Sequence, residues 1–455
     1  FKLGPGVDGD GKSWDDPKFR KQNLHTYTVG FAVDNAVLKA TAAVGHGSYY
    51  TADDKEVLAA SLQNAVDGIL ASISNGGGLA TISPTAKIGN KIFQPIFNPA
   101  NWSGELRCFE VAPDGGVGAA CAPNAMGVIP GAGRKVYTSK VADVGGTYVT
   151  TPFDFIESDY TGKMTPSQIA SLGASAVAQQ NTIKFVRGVE GIAGLRSRAG
   201  ALLGDIVDGQ PIVISAPEGA TPDMAYAAFT SANSTRNMVL AGANDGMLHA
   251  FKIDGVTDNM TELMGYIPSP VYPRLKALTA GDYGQSAGTP HTYHVNGVMK
   301  AADFKLDIAG IPTWKTLVVG GLGQGGQGYY ALDATSQGQF ASATSAVKWE
   351  FTDVNDASMG YTLGAPLLYN VRASSSTVTP AVIFANGYES NWDDTANGGQ
   401  KSALKNSALF ILNANTGALI KKITLPAAST GLSAPAGVDV GQDGILDYVY
   451  AGDVN

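Results

Sequence analysis

No run of about 18 apolar residues occurs anywhere in the 455-residue chain, so no part of it is suited to cross a bilayer as a helix. Basic residues are also scarce. Thirty-one Lys and Arg stand against 39 Asp and Glu, for a net charge of −8, and no basic cluster appears. Nucleic acid is thereby excluded as an expected partner, because phosphate contacts need a basic face. Only two cysteines are present, Cys108 and Cys121, with no histidine beside them, which argues against a zinc site. Two thiols in one Gly/Pro/Ala-rich loop read as the single disulfide of an exported protein, the alternative being two unrelated buried thiols. What is plentiful is glycine, 57 residues where the usual share is about 7%. With 44% hydrophobic and 15% charged residues the chain is globular, rich in turns and long enough for two or three domains.

The most organised stretch is Asn237–Gly255, where two apolar runs flank Asn244-Asp245-Gly246 and the second ends at Asp254-Gly255. This predicts a hairpin with a two-residue turn, since Asp-Gly supplies the positive φ angles such a turn requires. The motif recurs. Val239-Leu-Ala-Gly242 returns as Leu317-Val-Val-Gly320, Val382-Ile-Phe-Ala385 and Val449-Tyr-Ala-Gly452, at spacings of 78, 65 and 67 residues. A strand ending on a turn follows three of the four: His249–Asp254, Tyr329–Asp333 and Leu409–Asn413. A second marker precedes the hairpins, at Pro211-Ile-Val-Ile, Gly364-Ala-Pro366-Leu-Leu and Ser433-Ala-Pro435-Ala. A fixed period of small β units predicts a β-propeller with large blades over 211–455. A β-sandwich has no reason to keep such a period. A propeller must close to protect its edges, so this one is expected to be incomplete and to continue past Asn455.

Upstream, the acidic residues Asp8, Asp10, Asp15 and Asp16 read as a solvated loop. Residues 1–75 then alternate strand and helix: strand Thr26–Val33, helix Asn35–Val44, strand Gly47–Tyr50, and a helix with the apolar stripe Leu58, Leu62, Ala65, Val66, Ile69 and Ile73. That order predicts the end of an open α/β sheet. Residues 76–210 are expected to form a β-rich connector, with strands at Ile92–Phe97 and Val136–Ser139 and one strong helical pattern at Pro166–Gln180.

The first of these segments, Tyr27-Thr-Val-Gly-Phe-Ala-Val33 and Gly47-Ser-Tyr-Tyr-Thr-Ala52, resembles the last strands of a von Willebrand factor A domain. Phe97–Leu106, Phe185–Gly188, Arg196-Ser-Arg198 and Leu203–Val207 resemble the connecting region of PilY/PilC-type type IV pilus tip proteins. Ala241–Phe251, Tyr266–Ser269, Val319–Gly323, Gly328–Asp333 and Asp447–Asp453 resemble the propeller of the same family, so the resemblance covers nearly the whole chain. It implies a non-enzymatic adhesin and assembly factor, extracellular at the pilus tip, with minor pilins and a host or environmental surface as partners. One departure is that the Asp-x-Ser-x-Ser metal motif of a complete von Willebrand A domain is missing from the chain. Its residues would lie upstream of Phe1.

Asp439-Val-Gly441-Gln-Asp443-Gly444-Ile445-Leu-Asp447 places carboxylates at loop positions 1, 5 and 9, a glycine at 6 and a backbone carbonyl at 7. That spacing suits calcium, and it resembles the calcium loop of the family's propeller. The candidate ligands are Asp439, Asp443, Ile445 through its carbonyl, and Asp447. Gly441 occupies position 3, where the pattern has Asp or Asn, so one ligand is missing; an Asx-rich turn is the alternative. His291-Thr-Tyr-His294 lacks a third metal ligand in phase and reads as a solvent-facing strand pair. Asn391–Asp394 falls in an insertion suited to a binding surface or a rim cover. Arg187, Arg196 and Arg198 read as packing salt bridges. The competing function is a calcium-dependent quinoprotein (PQQ-type) dehydrogenase, also a propeller. Such enzymes carry a tryptophan docking motif in each blade, whereas the five Trp here do not follow the blade period.

Overall fold

The computed structural model describes residues 26–31, 35–52, 80–81, 91–111, 117–121, 127–131, 133–219, 223–389, 392–393, 400–401, 406–425 and 431–453. The acidic residues Asp8 to Asp16, the stripe Leu58–Ile73, and Asn391 and Asp394 lie outside them. The chain divides into two compact units, Phe1–Ser74 and Asn75–Asn455. In the first, strands β1 (Thr26–Phe31) and β2 (His46–Ala52) pair in parallel, and helix α1 (Ala36–Val44) forms the crossover. Asn35 starts the helix by accepting hydrogen bonds from the N–H groups of Val37 and Leu38.

The second unit opens with an antiparallel sheet of β3 (Ala80–Thr81), β4 (Lys91–Asn98), β5 (Ser103–Val111) and β6 (Val117–Ala120). Cys108 of β5 and Cys121, just after β6, are joined by a disulfide with Cα atoms 5.5 Å apart. By the chain-entropy argument a loop of this size contributes about 3 kcal/mol. The Cys108→Ser/Cys121→Ser variant is expected to lose up to that amount in urea unfolding, and mass analysis finding two free thiols in unreduced protein would contradict the bond.

Next come β7 (Gly127–Val128), β8 (Val136–Val144) and β9 (Thr147–Asp154). The helical pattern at Pro166–Gln180 resolves into two helices, α2 (Pro166–Leu172) and α3 (Ala176–Val186). Gly173, at φ +153°, separates them, and Thr165 and Ser175 each cap a new start, Thr165 through a capping box with Gln168.

The first blade is β10 (Ile212–Ile214), β11 (Met238–Gly242), β12 (Leu248–Ile253) and β13 (Met260–Ile267), with helix α4 (Met224–Ala232) between β10 and β11. β8 and β7 pair in parallel with β13, and β9 pairs with β8. The sheet therefore crosses residue 210, where the sequence reading places a domain boundary. The second blade is β14 (Met299–Ile308), β15 (Ile311–Gly321), β16 (Gly328–Asp333) and β17 (Val347–Thr352). A third begins with β18 (Leu367–Arg372) and β19 (Val378–Ala385). After the short strands β20 (Gly387–Tyr388), β21 (Trp392–Asp393) and β22 (Gln400–Lys401), that blade is completed by β23 (Ala408–Asn413) and β24 (Leu419–Thr424). β25 (Gly431–Leu432) pairs with β20, and β26 (Ala436–Val438) pairs with β27 (Tyr448–Tyr450).

The repeated apolar motif thus occupies the same place each time: β11, β15, β19 and β27 each pair with the opening strand before them. In β11, β15 and β19 the motif reads as an unbroken apolar run because both of its faces are buried, whereas Tyr448 and Tyr450 of β27 are exposed. In β15, Val318 faces the core shared with the first blade, and Leu317 and Val319 face the core shared with Val382 and Phe384 of the third. In β11, Met238 and Leu240 face the first of these cores, whereas Val239 and Ala241 pack on Phe93 and Leu106 of the β4–β5 sheet. The region before residue 210 therefore covers the face of the first blade that no other blade covers.

Candidate functional site

The turn after β11 differs from the two-residue turn expected. Ala243 donates its N–H to the Met247 carbonyl (2.9 Å), which leaves Asn244, Asp245 and Gly246 in the loop, and only Gly246 is left-handed (φ +96°). Asp245 accepts the Met247 N–H across the turn (3.2 Å) and also serves a buried charge network. Its carboxylate accepts the N–H of Gly204 (2.9 Å) and meets His249 Nε2 at 3.1 Å. His249 Nδ1 lies 2.8 Å from Glu262 Oε1, and Arg134 forks onto Glu262 with Nε at 2.6 Å and Nη2 at 2.7 Å. Both ring nitrogens of His249 face carboxylates, so the ring is doubly protonated, and two cations balance two anions. Burial alone disfavours the charged ring, but Asp245 and then Glu262 overcome it and raise His249 to about 9. For Asp245 the same burial cost is outweighed chiefly by His249, which lowers it to about 2. Beside this group, Asp205 accepts from Asn244 Nδ2 (2.7 Å) and faces His291 Nε2 (2.9 Å).

His291 and His294 are not a solvent-facing strand pair. The segment around them is irregular, His291 stacks on Trp102 with ring centroids 3.8 Å apart, and His294 is fully buried. Burial, then Arg274, lowers His294 to about 3, and its Nδ1–H donates to the Thr292 carbonyl. The arginines divide. Arg187 donates to the carbonyls of Phe155 and Arg134 (2.8 and 3.0 Å) and pairs with Glu157 (3.9 Å), Arg198 pairs with Glu190 (2.8 Å), and Arg196 has no ion-pair partner among the described residues.

The Asp439–Asp447 loop joins β26 to β27 and is largely exposed. Asp439 accepts the N–H groups of Asp443 (3.3 Å) and Gly444 (2.8 Å), and Asp447 accepts those of Val440 (2.8 Å) and Gly441 (3.4 Å). Gly444, at φ +77°, makes the sharp turn. The loop also leans on β18: Ile445 bridges Asn370, Leu446 donates to the Asn370 carbonyl (2.8 Å), and Arg372 reaches Asp443 (3.3 Å). A Cβ added at Gly441 would stand 3.9 Å from one oxygen each of Asp439 and Asp443, but the structure does not gather the three carboxylates: no oxygens of Asp439, Asp443 and Asp447 lie all within 4.8 Å of one another. The donors are all hard oxygens, which fits calcium. Among the described residues, one trio of possible ligand atoms lies within 4.8 Å of one another, Glu110, Cys121 and Asp258. It is a poor metal site, because Cys121 is in the disulfide and Lys91 holds Asp258.

A family model of the PilY1 beta-propeller domain matches residues 203–455. A type IV pilus biogenesis factor PilY1 homolog of Xylella fastidiosa is 32% identical over 418 residues, covering 90% of this chain and 30% of that protein. The type IV pilus biogenesis factor PilY1 of Pseudomonas aeruginosa is 33% identical over 284 residues, covering 60% of this chain and 22% of its own length. The chain thus spans less than a third of these relatives. The crystal structure of the Pseudomonas aeruginosa PilY1 C-terminal domain aligns with 53% of this chain and 43% of its own, at 27% identity and a TM-score of 0.39.

Proposed function

Because the chain belongs to the PilY1 family, whose propeller matches 253 of its 455 residues (203 to 455), we propose that it acts in type IV pilus biogenesis. In this reading it is a non-enzymatic adhesin and assembly factor, extracellular at the pilus tip, that holds minor pilins and an external surface. The observation that carries the reading is the continuous family match across the blades, together with relatives named as pilus biogenesis factors. The β1-α1-β2 unit is read as the end of a von Willebrand A domain, and the sheets up to residue 210 as the connector that covers the first blade. Immobilised protein is expected to retain minor pilins of the same organism under native conditions. Retention of none of them would overturn the reading.

The Asp439–Asp447 loop is proposed to hold one calcium ion through Asp439, Asp443, Asp447 and the Ile445 carbonyl, with micromolar to millimolar affinity. Bound calcium would supply a fixed positive charge among the carboxylates, and because the loop leans on Asn370 and Arg372 it would tie β26 and β27 to β18. Binding to the folded state alone stabilises by mass action, so chelation is expected to lower the melting temperature, and Asp443→Ala is expected to abolish that response. Identical melting with calcium and with chelator would show the loop to be a turn only. Gly441 has no positive φ and no atom nearer than 3.7 Å to an added Cβ. Gly441→Asp should therefore fit and strengthen calcium binding in a direct titration; unchanged or weaker binding would contradict the ligand assignment.

A further inference from the structure

Between the Trp102 loop, the end of α3 and the Arg196–Leu203 segment lies a cavity of about 200 Å³, lined by Trp102, Phe185, Arg196, Arg198, Leu203 and Tyr283. Its two arginines are held in place by aromatic rings. Arg198 lies 4.0 Å from the centre of Phe185, and Arg196 lies 4.8 Å from that of Tyr283. Both have unmet hydrogen-bonding capacity: Arg196 Nε and Arg198 Nη2 are buried without an acceptor among the described residues. The Arg198 side chain is only 8% exposed, and an orphaned donor on a buried guanidinium is costly unless something occupies it. Trp102 and Ala199, also on the wall, hold left-handed backbone at φ 54° and 49°. Such strain in residues with a Cβ is concentrated at binding sites.

The charges define the ligand. Glu190 neutralises Arg198 through Nε (2.8 Å) and also accepts its backbone N–H (3.0 Å). The carboxylates of Asp205 and Asp245 are engaged by His291, Asn244 and His249, and among the described residues the Arg196 guanidinium donates at 3.5 Å to the Asn101 carbonyl alone. Among the described residues no carboxylate lies within ion-pair distance of the Arg196 guanidinium, and the wall beside it carries the rings of Trp102, Phe185 and Tyr283. A monoanion with an apolar stem matches this; a dianionic phosphate would be repelled by the three carboxylates nearby. We propose that the cavity binds a carboxylate presented by another polypeptide, which accepts hydrogen bonds from Arg196 and Arg198 while its stem lies against Trp102 and Tyr283. The proposal rests on the cavity alone and stands whether or not the pilus reading does.

The test is calorimetric titration of the 455-residue protein with four probes: an acetylated neutral tripeptide with a free C-terminal carboxylate, an amidated tripeptide carrying one Glu, its neutral amidated counterpart, and inorganic phosphate. One of the two acids, or both, is expected to bind, and which one separates a chain end from an acidic side chain. Arg196→Gln is expected to weaken binding about tenfold or more, the effect of losing a charged hydrogen bond. Arg196→Lys keeps the charge and is expected to weaken it too, because the planar fork is lost. Neither variant should lower the unfolding midpoint to the point of unfolding the protein, since no carboxylate is left stranded and a buried orphaned donor is removed. The proposal is overturned if neither acid binds at millimolar concentration, if the neutral amide or phosphate binds as tightly, or if both folded Arg196 variants bind as the parent does.

Discussion

Replacing Arg134 by methionine should lower the unfolding free energy by about 3–5 kcal/mol, the usual cost of stranding one member of a buried ion pair. Arg134 and Glu262 are each 1% exposed at the side chain, and the guanidinium holds both carboxylate oxygens. The same guanidinium donates to the Val186 carbonyl (3.3 Å), so one side chain ties the start of β8, the end of α3 and β13. With Arg134 gone, Glu262 and Asp245 face only His249, and one negative charge is left in a site that water does not reach. The double variant Arg134→Met/Glu262→Met leaves the neutral Asp245–His249 pair and should be more stable than the single one. Denaturant unfolding of the three proteins measures this. A loss under about 1 kcal/mol for Arg134→Met, the range of an exposed pair, would show the network to be solvated.

The propeller was legible in the sequence, and this network was not, for one physical reason. A strand buried on both faces must be apolar at every position, so β11, β15 and β19 announce themselves and repeat. The opening strand of the second blade, β14, escaped notice because its Lys, Asp and Ala residues leave only Met299, Phe304 and Leu306 as fully buried hydrophobes. Arg134 and Glu262 are separated by 128 residues, and no local pattern links them. Asp245 and His249 are visible in the sequence, but Asn-Asp-Gly is so strong a turn signal that it points to a backbone role for the aspartate. Its carboxylate does both, accepting the Met247 N–H in the turn and pairing with His249 in the side-chain network. The His291–His294 segment differs for a similar reason: polar residues at alternate positions read as an exposed strand, whereas Asp205 and Trp102 hold His291, and the Thr292 carbonyl holds Nδ1 of the buried His294. Of the three connector arginines, Arg187 and Arg198 form ion pairs, with Glu157 and Glu190, and Arg196 has none among the described residues, since sequence cannot count the carboxylates within reach of each guanidinium.

The second large effect concerns pH. Stability should peak near pH 6.5 and fall on both sides, and the two slopes belong to different histidines. His249 binds its proton up to about pH 9 in the folded protein and to 6.5 when unfolded, so its contribution is complete below 6.5 and lost as pH rises through 9. That loss amounts to about 3 kcal/mol. His294 is the reverse case. Burial keeps it neutral down to about pH 3, so the unfolded chain binds the extra proton between 6.5 and 3, and stability falls with pH across that range by about 5 kcal/mol. Asp245 adds nothing until pH drops below about 4, because its folded value is near 2. Free cysteine cannot contribute to the alkaline slope, since both thiols are in the disulfide. Unfolding midpoints measured from pH 4 to 9.5 are expected to trace this profile, with His249→Gln flattening the alkaline limb and His294→Gln the acid limb. If the alkaline limb persists unchanged in His249→Gln, the imidazolium between Asp245 and Glu262 is not the group that titrates, and the charge balance assigned to the first blade is wrong.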